Sequence, residues 1–140
     1  MNQFEFLQVT MHVTQICSGT EYRNAFHMVR RQGAEKLART DKPSDEHAAI
    51  RFLIGTWERI ATACKGFSVK QRHEFFRHHP ILLMWQRLEP ATKIIRKNTD
   101  ESFAKEFENL RDQYQAWIES KDGRLYSTTK QQAVNACFLV

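Results

Sequence analysis

Residues that interrupt helices are scarce in this sequence, which has five glycines and three prolines among its 140 residues. Glycine and proline are the poorest helix formers, and here most of them stand where helices are expected to end. Their scarcity is the first indication of an all-α chain. Hydrophobic residues make up 41% of the chain and charged residues 26%, the balance of an ordinary globular protein rather than a disordered one.

Cysteine is also rare, and the three that occur are Cys17, Cys64 and Cys137. An odd number without any short spacing argues against a disulfide framework and against a zinc site, and for a reducing compartment. Long apolar runs are absent as well: none approaches the length of a membrane-spanning helix, and no signal-peptide pattern opens the sequence. We therefore expect a cytoplasmic protein with no membrane span.

Catalytic motifs are missing too, since the sequence has no glycine-rich phosphate loop, no nucleophile elbow and no dinucleotide fingerprint. The segment from His73 to His78 reads H-E-x-x-x-H, which is one residue too long for two histidines that bind one metal from the same helix face. We therefore expect a non-enzymatic protein without a metal or another cofactor. An active site assembled from scattered residues is the alternative that a single sequence leaves open.

Apolar residues recur with the helical period of about 3.6 residues through most of the chain. This pattern predicts an all-α fold, a compact bundle of about five or six helices in a single domain at residues 1–122. A weakly ordered C-terminal tail is expected at residues 123–140, where the pattern dissolves.

Local signals predict where several of these helices begin. Ser68 and Gln71 match a capping box, in which two side chains satisfy each other's backbone amides. The short helix that follows is expected to bury three apolar side chains: Val69, Phe75 and Phe76. Asp100 is expected to cap the last helix, and Pro90, inside a helical pattern, predicts a kink.

The first predicted helix carries more apolar surface than a lone surface helix should. One stripe consists of Phe6, Val9, Val13 and Ile16, and beside it lie Phe4, Leu7 and Met11. Such a stripe must be buried against the domain, a second copy or a membrane. Because Gln and Thr rather than Lys and Arg flank it, we expect burial in the domain or in a homodimer.

The formal net charge of +5 is unevenly spread along the chain. Residues 65–97 carry eight basic and two acidic side chains, and residues 98–122 carry seven acidic and three basic ones. We expect the acidic last helix to lie against the basic segment and cancel much of its field. The candidate partner-binding residues lie within that basic segment: Arg72, His73, Arg77, His78, Lys93, Arg96 and Lys97.

These basic residues have three interpretations. They could contact the phosphates of a nucleic acid, or an acidic protein in a pH-sensitive manner through the histidines. The third interpretation is a solvated helix face, where cations near a helix C-terminus are favoured by the helix dipole.

Several stretches resemble an uncharacterised bacterial and phage family of helical domains. They are Ala48–Leu53, Trp57–Ala61, Phe75-Phe76 and Met84–Pro90, with Ile95 and Arg96 after them. The resemblance covers roughly residues 20–120 and is most specific from Trp85 to Arg96. It implies an α-helical fold and a microbial or phage context, with no known activity. The chain departs from the family in lacking the membrane helix of many members, in Gly55-Thr56 before Trp57, and in its C-terminal tail.

The leading hypothesis from the sequence is a non-enzymatic helical module that binds another protein. The resemblance suggests that a phage or mobile element encodes it to modulate a host complex, as an inhibitor or anti-defence protein. The alternative is a nucleic-acid-binding protein that uses the basic segment 65–97, which we do not favour because the acidic helix is expected to cover it.

Overall fold

The computed structural model describes residues 1–34, 36 and 45–120. Within these ranges the chain forms six α-helices and no strand, which confirms the all-α prediction. The helices are α1 Gln3–Ser18, α2 Thr20–Gln32, α3 Asp45–Cys64, α4 Val69–His78, α5 Ile81–Asn98 and α6 Lys105–Glu119. The predicted tail at 123–140 lies outside the described residues.

The core is organised around α3, which packs against α2 on one side and α6 on the other. Trp57 of α3 is 1% exposed, and its ring stacks on Phe107 of α6 with a centroid distance of 5.7 Å. The ring of Trp85 of α5 meets the same Phe107 edge to face at 5.1 Å. The indole N–H of Trp57 donates to the hydroxyl of Tyr22 of α2 at 2.9 Å, so the one polar atom of this buried ring is satisfied.

The last helix begins four residues later than the sequence predicts, because its cap position is Ala104 and not Asp100. Asp100 caps a turn instead, since its carboxylate accepts the backbone N–H and the hydroxyl of Ser102, both at 2.9 Å. Ala104 then turns the chain through a left-handed conformation, with φ of 60°, and offers no side-chain cap to α6.

The cap of α6 comes from another helix. The two carboxylate oxygens of Glu58 on α3 accept the backbone N–H groups of Glu106 and Phe107, at 3.0 and 2.8 Å. A carboxylate at this position also interacts favourably with the positive end of the helix dipole. Since Glu58 lies far from α6 in the sequence, no local pattern could reveal this contact.

Of the two predictions made for the short helix α4, the capping box is confirmed and the burial of Val69 is wrong. The capping box of Ser68 and Gln71 is confirmed, with hydrogen bonds of 2.9 and 3.1 Å. The predicted burial of Val69 is wrong, because its side chain is 61% exposed. Val69 is the first residue of α4 and lies one turn before His73, where the packing against Trp117 of α6 begins. Pro90 lies inside α5, and the helix continues through it.

The Glu58 contact makes a testable stability prediction. Glu58→Ala leaves two amides at the start of α6 without their partner and should lower the free energy of unfolding by about 1–3 kcal/mol. Denaturant unfolding at neutral pH measures this loss. Glu101→Ala, which removes an exposed carboxylate three residues before Ala104, is the matched control and should have little effect. A Glu58→Ala variant as stable as the control would contradict the assigned cap.

Candidate protein-binding surface

The α1 helix has apolar side chains on two of its sides. On the inner side, Phe6 and Val13 are each 2% exposed, and the predicted burial of this stripe is confirmed for them. Their neighbours on the stripe, Val9 and Ile16, are partly buried against the core. The other side carries what we call the outer row: Phe4, Leu7 and Met11, which are 69%, 48% and 62% exposed.

The outer row forms a line along the helix because its members are separated by three and four residues. The five large apolar side chains that are exposed among the described residues are Met1, Phe4, Leu7, Met11 and Val69. Four of these five lie in the first eleven residues, so the exposed apolar surface is concentrated on α1 rather than scattered as on an ordinary protein surface.

Charge is nearly absent from α1. Glu5 is its single acidic residue and it contains no Lys or Arg, although charged residues make up 26% of the whole chain. The Glu5 side chain also accepts the backbone N–H of Asn2 in a capping box at the start of the helix. A solvated helix face normally carries charged residues, whereas the centre of a protein interface is depleted of them.

An open groove runs between α1 and α4, with a volume of about 450 Å³. Its surface is mainly apolar, and ten residues line it: Phe6, Leu7, Thr10, Met11, Thr14, Gln15, Glu74, Phe75, His78 and His79. At one end, the side-chain amide of Gln71 donates to the carbonyl of Met1 at 2.9 Å. His78 and His79, at the C-terminal end of α4, also belong to the wall of this groove. We call this the α1–α4 groove.

His79 places one neutral polar ring at the end of the groove. Its ring stacks on that of Phe75 at a centroid distance of 4.0 Å, and its Nδ1 lies 3.0 Å from the Phe75 carbonyl oxygen. Because a carbonyl only accepts, this contact assigns the proton to Nδ1. Burial lowers the pKa of His79 below its usual value, which keeps the ring neutral at pH 7.

A second groove of about 460 Å³ flanks the opposite side of α1, between α1 and α3, with Val9, Ile16, Arg59 and Ile60 among its lining residues. The helix is therefore open along both sides. Phe6 holds it to the domain, with its ring meeting that of Phe67 edge to face at 5.0 Å. The α1 helix rests on a single row of buried side chains between two grooves.

The seven basic residues predicted from the sequence occupy two separate helices. Four lie on α4 and three on α5: Arg72, His73, Arg77 and His78, and then Lys93, Arg96 and Lys97. His78 is the one member of the set that lines the α1–α4 groove. The ring of His73 faces the core instead, 5.9 Å from that of Trp117. Arg77 is exposed and Arg72 half-buried.

The α5 members are largely engaged within the chain. Arg96 donates to the Phe103 carbonyl at 2.7 Å and to the Glu108 carboxylate at 3.0 Å, which ties α5 to α6. Lys93 pairs with Glu89 on its own helix at 3.2 Å. Lys97 is exposed.

The expectation that the acidic last helix lies against the basic segment is confirmed. Lys65 pairs with Glu106 at 2.7 Å, and Arg96 pairs with Glu108 at 3.0 Å. The first turn of α6 therefore pairs with two basic residues of the segment 65–97, and Arg96 is the one of them that belongs to the predicted binding set. Phe4, Leu7 and Met11 lie beside the α1 stripe in the sequence pattern, and their exposure was not predicted.

Comparison with family models, with curated proteins and with solved structures finds no match. The resemblance to the bacterial and phage family therefore stays a prediction. In the ranges that the structure covers, no helix is long and apolar enough to cross a membrane. Those same residues bring together no group of three His, Cys, Asp or Glu side chains that could hold a metal ion.

The environment of His79 predicts a pH dependence of stability. The unfolded chain protonates this imidazole near pH 6.5, whereas the folded chain does so only at lower pH. Between those values the unfolded state binds more protons. The contribution of neutral His79 to the free energy of unfolding is therefore complete above pH 6.5 and is lost as the pH falls. The melting temperature should therefore fall between pH 7.5 and 5.5.

The control for this prediction is His79→Asn, which keeps an N–H donor for the Phe75 carbonyl but does not titrate. Its melting temperature should fall less over the same pH range than that of the parent. His12→Asn removes an exposed histidine and should retain the dependence of the parent. Equal pH dependence in the parent and in His79→Asn would remove His79 as the cause.

Proposed function

We propose that this protein is a non-enzymatic helical interaction module that binds an uncharged, apolar helix face of another polypeptide chain. The contact surface is the outer row of α1 together with the adjacent α1–α4 groove. The observation that carries the proposal is the exposure of Phe4, Leu7 and Met11 on a helix that has one charged side chain.

The shape of the surface suits a helix. The α1 helix spans 16 residues, which corresponds to about 24 Å, and the groove follows it between Leu7 and Gln15. Phe6 and Phe75 lie within this groove as buried rings. An amphipathic helix laid along such a groove inserts apolar side chains at successive turns, which is a common mode of peptide recognition.

The chemistry of the described cysteines supports a binding role over catalysis. Burial raises the pKa of the Cys17 thiol to about 11 and that of the Cys64 thiol to about 12. Both thiols therefore stay protonated at neutral pH and are poor nucleophiles. In the α1–α4 groove, His79 uses its Nδ1 on a backbone carbonyl rather than on a neighbouring hydroxyl or thiol.

The pairing of basic residues also favours a protein partner over a nucleic acid. Phosphate binding requires several Lys and Arg side chains that are free to contact phosphates, whereas Lys65, Lys93 and Arg96 are each paired with a glutamate. The proposal that a phage or mobile element encodes the protein to modulate a host complex rests on the sequence resemblance alone.

A designed peptide tests the proposal. The probe is a fluorescent 18-residue helix with leucines along one face and Gln and Ser elsewhere, and its binding is measured by fluorescence anisotropy. The parent should bind this peptide and bind a scrambled peptide of the same composition more weakly. The double variant Leu7→Gln/Met11→Gln should weaken binding by at least about tenfold, because burying either side chain contributes about 1.5–3 kcal/mol.

The matched control is Val69→Gln, which removes an exposed apolar side chain outside the groove and should leave binding unchanged. Circular dichroism verifies that each variant remains helical. Equal binding of the two peptides, or unchanged binding by the double variant, would contradict the proposal.

A further inference from the structure

We infer that the helix bound at this surface is α1 of a second copy of the chain, packed antiparallel about a two-fold axis beside Leu7. This inference rests on the proposed function for the surface and adds the identity of its occupant. Three features of α1 carry it: the spacing of the outer row, the absence of basic side chains, and the position of the groove.

The spacing of the outer row is close to self-complementary. Phe4 precedes Leu7 by three residues and Met11 follows it by four. When two such helices lie antiparallel with their Leu7 side chains adjacent, Phe4 of one copy lies opposite Met11 of the other. The same pair recurs on the other side of the axis. Thioether groups make favourable contacts with aromatic rings, and the flexible Met side chain adapts to the available space.

The charge of α1 permits a second copy as the occupant. Each copy carries a formal charge of +5, so two copies can meet only through a surface where like charges do not face each other. The α1 helix provides such a surface, since it has no Lys or Arg and its Glu5 belongs to the capping box at its own N-terminus. Polar uncharged side chains lie beside the row and can hydrogen-bond across a two-fold contact: Thr10, Thr14 and Gln15.

The outer row adjoins the α1–α4 groove, so a helix of the second copy can lie next to both. Leu7 and Met11 belong both to the outer row and to the lining of the α1–α4 groove. A helix that covers the row therefore also covers one wall of the groove. The contact is isologous, meaning that the same patch is used on both subunits, so it closes at two copies instead of forming a filament. A pair of single helices buries less surface than a standard interface, so we expect a weak dimer whose population rises with concentration.

Disulfide trapping at the axis tests the geometry. In a Cys137→Ser background, Leu7→Cys places one thiol next to its symmetry mate, within the short Cα–Cα distance that a disulfide requires. Mild oxidation should convert Leu7→Cys to a covalent dimer much faster than His12→Cys, measured by non-reducing electrophoresis. His12 is the matched control because it is exposed on α1 but lines the groove on the α3 side.

Analytical ultracentrifugation of the full chain provides the second measurement. The parent should shift from monomer towards dimer as its concentration rises, and Leu7→Gln/Met11→Gln should remain monomeric over the same range. A parent that stays monomeric, or His12→Cys and Leu7→Cys variants that cross-link at equal rates, would overturn the inference.

The peptide-binding and self-association experiments together distinguish failure of this inference from failure of the proposed function. If the leucine-row peptide binds the parent but the parent does not self-associate, the surface is a helix-binding site whose occupant is not a second copy. If neither binding nor self-association is found, both the proposed function and this inference are wrong.

Discussion

The arrangement of the helices depends on how α3 holds the first turn of α6. Ala104 provides no cap for α6, and the carboxylate of Glu58 supplies it from the adjacent helix. The neighbouring Trp57 stacks on Phe107 at the same point, so the polar and apolar contacts position the helix together. As a result the acidic first turn of α6 meets Arg96 of α5 and Lys65 just after α3, and each of these cations is paired with a glutamate.

Unlike these charged helices, α1 has a surface that is apolar and almost uncharged. A helix with apolar side chains on two sides can bury only one of them against a single neighbouring bundle. Here the domain covers Phe6 and Val13 and leaves the outer row in solvent next to an open groove. Exposed apolar surface of this kind is typical of interaction sites, and a second polypeptide is the occupant that we propose for it.

Local sequence signals predicted the fold class and most helix positions, because the apolar period and the capping box of Ser68 and Gln71 act within a few residues. They failed for the start of α6, which depends on Glu58 about fifty residues away. They also failed to predict the exposure of Val69, because an apolar side chain is buried only where another element packs against it. The candidate site was the least predictable part: burial of the Phe6 stripe was expected, but the exposure of Phe4, Leu7 and Met11 beside it depends on the tertiary packing.

The exposure of Met11 in dilute solution tests the central claim most directly. Met11 is 62% exposed on the outer row, whereas Met84 is fully buried in the core, and mild peroxide converts accessible methionines to sulfoxides. The account predicts rapid oxidation of Met11 and slow oxidation of Met84 in the dilute protein, measured by mass spectrometry of proteolytic fragments, with Met11 becoming protected as the concentration rises. If Met11 in the dilute protein were as protected as Met84, the chain itself would cover the outer row, and α1 would not present a surface for a partner.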